Sequence, residues 1–360
     1  MIPLKTTAIK KDRLVGIEFL RFFSSFSILV WHFQHFSLIP FDRSVQPFYS
    51  FLGIFYEHGS VGVNIFWCIS GFVFFFNYLE KIQSRKVTFL NFSISRLSRL
   101  YPLHFVTLII VLFLQLYFEK INGFAFTYIY DFKHFILNIF FASGWGIEDR
   151  FSFNGPIWSV SIEIIVYIIF FIAFFRFRIF SAYLFFIVLF IIFLVLSPTD
   201  GSIAHALFYF FIGGLITISK YHMNKITSNQ FLKNYTFYIL GLFMLVCLIT
   251  TWKIDFSYSK SFTHFFVISL VYFFVLINKL FTYHYKIWIF LGNLTYSSYL
   301  IHFPIQLILM ILLQKLNYDI NIDSYGLFLF FMLSTLFLSK YVYKFFEMPM
   351  QNLIRSKFIK

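Results

Sequence analysis

Charge is scarce in this chain: only 12% of its 360 residues are charged, and acids are the rarer sign, 15 Asp and Glu against 29 Lys and Arg. A soluble domain carries about a quarter charged residues, so a water-facing globule is excluded. Cysteine is nearly absent. Cys68 and Cys247 lie inside separate apolar runs, which suggests neither a disulfide framework nor a zinc site. No internal repeat, low-complexity linker or soluble appendage is visible. The basic lead (Lys5, Lys10, Lys11, Arg13) is followed by a long apolar run without a small-residue cleavage site, so that run reads as a first membrane span rather than a signal peptide.

What fills the chain instead is apolar bulk, 60% of residues with 60 Phe and a mean hydropathy of +0.80. About 20 apolar residues cross a bilayer. Apolar runs fall near 14–38, 59–79, 99–118, 132–147, 156–175, 179–196, 203–219, 236–251, 262–279, 288–314 and 325–344. The fourth is short, holds Lys133, His134 and Asn138, and ends in Ser143-Gly-Trp-Gly146, so it is expected to be re-entrant or interfacial.

Loop charges test that expectation, because cytoplasmic loops concentrate Lys and Arg. If the fourth run does not cross and the N-terminus is cytoplasmic, 21 basic residues fall inside and seven outside. If it crosses, most basic residues of the later loops fall outside. The expected fold is therefore an all-α polytopic membrane protein of about ten transmembrane helices plus one short re-entrant or interfacial segment. Both termini would be cytoplasmic, and residues 1–360 would form a single integral-membrane domain with its core at about 14–347 and short tails. The net charge of +14 then reflects topology, not nucleic-acid binding.

Charged side chains inside apolar spans are costly and tend to mark sites. In the first span, Arg21 and His32 are eleven residues apart, about 20° from three full helical turns, so they share one face at roughly 16 Å separation. Glu18 stands three residues before Arg21, a pairing distance. His35, one turn further, is read as interfacial. Glu163 follows the helix-entry signal Asn154-Gly-Pro156 and shares an i, i+4 stripe with Ser159 and Tyr167. That carboxylate can orient a histidine, accept a hydroxyl proton or hold a helix. Arg96 and Arg99 share a face at the start of the third span, where guanidinium groups suit phosphate oxygens or simply anchor the topology. His302 precedes Pro304 in another span.

Together these residues resemble the acyltransferase-3 family of bacterial membrane-bound acyltransferases. Arg21-x10-His32 with Glu18 resembles its N-terminal signature. In order follow Gly59-Ser-Val-Gly-Val-Asn-Ile-Phe-Trp-Cys-Ile-Ser-Gly-Phe72, Arg96-x-x-Arg99 with Tyr101-Pro102, Trp158-Ser-Val-Ser-Ile-Glu163 with Tyr167, Phe211-Ile-Gly-Gly214, Leu291-Gly-Asn-Leu-Thr-Tyr-Ser-Ser-Tyr-Leu-Ile-His302-Phe-Pro304, and Glu347-Met-Pro349. Asn64 and Trp67 depart from the usual acid and Phe.

The resemblance implies transfer of an acyl group, most often acetyl, from acetyl-CoA or another acyl-CoA to a hydroxyl of a cell-envelope or exported glycan, in the bacterial cytoplasmic membrane. It implies His32, Arg21 and Glu163 as catalytic residues and Arg96 and Arg99 as donor-binding. Glu18, Trp158, Ser161, Tyr167, Tyr299 and His302 are expected as support. No metal is expected; the partners expected are membrane lipid, acyl-CoA and a glycan or lipid-linked saccharide. His32 can act as general base or carry the acyl group itself. The competing class is a glycan-lipid flippase, transporter or polymerase, although the inverted repeats of many transporters are not visible.

Overall fold

The computed structural model describes residues 14–127, 129–176, 202–226 and 260–359. The spans expected at 179–196 and 236–251 lie outside the described residues. Among those described, the chain is helical with no strand; an isolated bridge joins Ile129 and Ser152. The helices are α1 (Val15–His32), α2 (Tyr49–His58), α3 (Val61–Gln83), α4 (Phe89–Asn122), α5 (Phe132–Ile139), α6 (Ile157–Arg176), α7 (Ile203–Ile226), α8 (Lys260–Leu276), α9 (Tyr285–Asn293), α10 (Thr295–Lys315), α11 (Tyr325–Val342) and α12 (Met348–Phe358). Six are long and apolar enough to cross a membrane: α3, α4, α6, α7, α10 and the continuous α11–α12 unit. The chain is thus a multi-pass helical membrane protein. The fourth apolar run contains only the 8-residue α5, about 12 Å long, which cannot cross.

α1 is outside those six, because Glu18, Arg21 and His32 lower its hydropathy, yet it is the central post of the bundle, packing on α2, α3, α8, α9 and α10. Its start is tied by the Gly16 amide, which donates to Asn278 Oδ1 at 2.9 Å. Its helix ends at His32 rather than running to 38, because Phe33 and Phe36 turn in a 3-10 segment to pack edge-on against Phe328 and Phe331 of α11.

Among the described residues, α3 and α7 make the most extensive helix pairing. Small residues permit it: a Cβ on Gly71 would lie 1.7 Å from the Phe210 carbonyl oxygen, and one on Gly213 would lie 1.9 Å from that of Cys68. Close backbone approach through small residues is the usual basis of helix association in lipid.

Three elements differ from the expected runs. α4 starts ten residues before the expected span, where the Thr88 hydroxyl caps it by accepting from the Asn91 amide at 3.2 Å. At 34 residues, or about 51 Å, it carries Arg96 and Arg99 two turns inside the helix rather than at its end. The run at 288–314 is broken after Asn293 into α9 and α10. The break lets Gly292 lie against the Glu18 side chain, where a Cβ would meet Oε2 at 2.1 Å, and lets Thr295 Oγ1 donate to the Gly292 carbonyl at 2.8 Å. Finally, the expected C-terminal tail is helical: α11 passes through a π-turn, Tyr343–Glu347, into α12. Arg355 of α12 donates to Ser98 Oγ at 3.2 Å and to the Ser95 carbonyl at 2.8 Å, fixing it along α4.

Candidate active site

A cavity of about 250 Å³ opens between α1, α3, α4, α6 and α10. Glu18, Arg21, Arg96, Arg99, Glu163 and Tyr167 supply its polar lining, with Tyr296 and Tyr299 from α10. Arg21 is held by two partners, as a charge at a cavity wall demands. Arg21 Nη1 donates to Glu18 Oε2 at 2.8 Å, and Nη2 donates to Thr295 Oγ1 at 3.0 Å. The Thr295 hydroxyl in turn donates a hydrogen bond to the Gly292 carbonyl, so the broken α9–α10 junction orients the Arg21 guanidinium.

Glu163 reaches the opposite wall from α6. The Ser70 and Tyr167 hydroxyls, 3.1 Å apart, stand beside its carboxylate, and Arg96 and Arg99 supply positive charge to it. The Ser159–Glu163–Tyr167 stripe read from spacing therefore faces one cavity. Arg96 lies over the rings of Phe74 and Tyr78 and donates to the Tyr78 hydroxyl, which also contacts Ser95 Oγ at 3.1 Å. Arg99 is within electrostatic reach of two carboxylates, Glu163 and Glu347. Glu347, at 3% exposure, accepts from Ser297 Oγ at 2.5 Å.

His32 and His302 do not line this cavity. They form a second cluster toward the other end of α1, their ring centroids 4.6 Å apart, with His35 5.2 Å from His32. The structure therefore separates Arg21 from His32, although both are on one helix face. Tyr299 stands between the two regions. Its hydroxyl donates to the Pro156 carbonyl at 2.8 Å with Ser159 Oγ 2.7 Å away, while its ring lies 5.9 Å from His302.

Besides His302, two expected supporting residues, Ser161 and Trp158, lie outside the cavity wall. Ser161 donates to the Trp158 carbonyl at 2.9 Å, and its own carbonyl accepts from Trp145 Nε1 at 3.0 Å. It secures the 144–145 loop, because the i, i+2 step from Ser159 turns it to another face of α6. Trp158 stacks edge-on against Trp67, 5.8 Å between centroids. Trp67 itself lines the cavity and donates to the Ser159 carbonyl.

Several site residues were not singled out from the sequence: Ser70, Tyr78, Thr295 and Tyr296. Ser70 and Tyr296 lie in the motifs quoted above, but an uncharged polar side chain in an apolar span carries no anomaly of charge.

A paired-arginine mouth, a buried carboxylate and a histidine pair across one tyrosine form an arrangement suited to acyl chemistry. The family model described as acyltransferase domain, acyltransferase-3, matches residues 14–359. The chain belongs to the acyltransferase-3 family. No curated protein and no solved structure matches it. As a member of that family the chain is an acyltransferase, and the match spans every helix described here.

Proposed function

We propose that this acyltransferase moves an acyl group, acetyl first among candidates, from acyl-CoA to a hydroxyl of a cell-envelope or exported glycan in the bacterial cytoplasmic membrane. The observation that carries the reading is the cavity joining Arg96 and Arg99 to Arg21, Glu163 and Tyr299, with the His32–His302 pair beyond it. The Arg96/Arg99 end is taken as cytoplasmic. Lys81, Arg85, Lys86, Arg176, Lys344 and Arg355 belong to the helix ends on that side, as the positive-inside pattern requires.

In this reading Arg96 and Arg99 hold phosphate oxygens of the donor, since planar guanidinium forks match them. The acyl arm extends through the cavity toward Tyr299. The acceptor reaches the same point from the His32 end, so donor and acceptor meet across the bundle. His32 takes the hydroxyl proton as oxygen attacks the thioester carbonyl. The C–O bond forms, the C–S bond breaks, and the proton leaves on the released thiol. Arg21 faces the negative charge that develops on the carbonyl oxygen. Glu163 keeps Arg96 and Arg99 oriented and balances positive charge in the cavity.

The direct test is release of thiol from acetyl-CoA by purified protein. The paired change Arg96→Ala with Arg99→Ala is expected to raise the KM for acetyl-CoA at least about tenfold, since charge-assisted hydrogen bonds are worth about 1.5–3 kcal/mol each. An unchanged KM at matched protein levels contradicts the donor assignment.

A further inference from the structure

α12 brings a third guanidinium to the stretch of α4 that carries Arg96 and Arg99. Arg355 Nε donates to Ser98 Oγ at 3.2 Å, and Nη2 donates to the Ser95 carbonyl at 2.8 Å. Ser95 stands at i, i+3 and i, i+4 from Ser98 and Arg99, so all three share one face of α4. A short chain of contacts leads to Arg96 as well: Ser95 Oγ is 3.1 Å from the Tyr78 hydroxyl, to which Arg96 donates. Arg355 is accordingly within electrostatic reach of both arginines. It is half-buried, whereas Lys357 two residues on is exposed. A cation that only anchored the topology would need no such fixing.

Three like charges gathered in this way repel one another. Among the described residues none of the three forms a salt bridge. Glu163 reaches Arg96 and Arg99 electrostatically, and Glu347 reaches Arg99. The groups that reach Arg355 are instead Arg96, Arg99 and the Tyr78 hydroxyl. Two carboxylates against three guanidiniums leave one positive charge over, on the side where α12 meets α4. Donors are left over too. Arg96 Nε is buried without a hydrogen-bond partner, and the two bonds of Arg355 occupy only part of a guanidinium fork.

Surplus charge and open forks suit a phosphorylated anion. Arg96 and Arg99 on one helix match the diphosphate of an acyl-CoA, one fork to each phosphate. Arg355 comes from a different helix, so it matches a phosphate that branches from the nucleotide rather than one that continues the diphosphate. A monoester phosphate, with a charge of about −1.5 to −2 near pH 7, is the group that answers an uncompensated guanidinium best.

We infer that Arg355 holds the 3′-phosphate on the ribose of the donor and so sets a preference for the nucleotide that carries it. The inference rests on the acyl-CoA reading above and names the residue that discriminates within it.

CoA and 3′-dephospho-CoA, which differ by that one phosphate, are titrated into purified full-length protein by calorimetry. The wild type is expected to bind CoA at least about tenfold more tightly. Arg355→Gln keeps an N–H donor and removes the charge. It is expected to bring the two affinities within about twofold by weakening CoA, while 3′-dephospho-CoA binds as before. Arg355→Ala is the second variant if the first fails to accumulate. A residue that merely pinned α12 to α4 would weaken both nucleotides together on substitution, and that result overturns the inference. So does a preference for CoA that persists in the variants. Equal binding of both nucleotides to the wild type overturns the inference alone. Binding of neither contradicts the acyl-CoA reading and takes the inference with it.

Discussion

At the scale of single residues, Arg21 and His32 stand in two separate neighbourhoods on one helix. Arg21 is locked by Glu18 and Thr295 at the cavity wall, while His32 stands with His302 across Tyr299. His32→Ala is expected to lower transfer by about 10²–10⁴, the usual worth of a positioned acid–base group. Glu163→Gln keeps the side-chain volume and removes the charge that faces Arg96 and Arg99; transfer per molecule should fall at least about tenfold while the protein still accumulates. Thiol release and acylated product, normalised to purified protein, check both, and full activity in either variant removes that residue from the mechanism. These residues were legible in the sequence because a charge inside an apolar span is anomalous on its face. Ser70, Tyr78 and Tyr296 were not, because a neutral polar residue in a span is ordinary. Nor could spacing along α1 reveal the division: a helical wheel gives the direction of a side chain, not the neighbour it meets.

At the scale of elements, the helices legible as long apolar runs are present where they are described, while their ends were not. Polar residues of the Thr88–Arg99 stretch hid the first turns of α4, and nothing in the apolarity of 288–314 announced the break at Leu294, which depends on Gly292 meeting Glu18. The α3–α7 crossing gives a packing prediction. Gly71→Val would drive a side chain into the Phe210 backbone and should cost at least about 1–3 kcal/mol, read as a lowered unfolding midpoint in detergent. Gly326→Ala, with nothing closer than Ser324 Oγ at 3.8 Å, should be neutral or mildly stabilising through helix propensity. Equal midpoints for the two variants would contradict the close crossing.

The short α5 makes a pH prediction. The Asp131 carboxylate accepts the His134 backbone N–H at 2.9 Å and lies 2.7 Å from the His134 ring nitrogen, and these bonds hold its pKa below the ordinary carboxylate value. A depressed folded pKa means that the cap contributes fully above the unfolded value of about 3.9 and is lost as pH falls through the lower folded one. Amide protection in α5, corrected for intrinsic exchange, should thus hold from neutral pH to about pH 5 and decline only below about pH 4. Asp131→Asn should lack that decline. Protection lost near pH 6 would contradict the carboxylate cap.

At the scale of the whole molecule, the bundle presents an arginine-lined cavity toward one end and a histidine pair toward the other, with basic side chains gathered at the first. That polarity suits a donor and an acceptor arriving from opposite sides. The most direct measurement of this account is mass spectrometry of the envelope polysaccharide from cells with the wild-type gene, without it, and with His32→Ala at matched protein levels. The account predicts an alkali-labile acyl mass on the wild-type glycan that is lost in both altered strains. An unchanged acyl pattern accompanied by altered glycan amount or chain length would contradict it and point to glycan export or polymerisation instead.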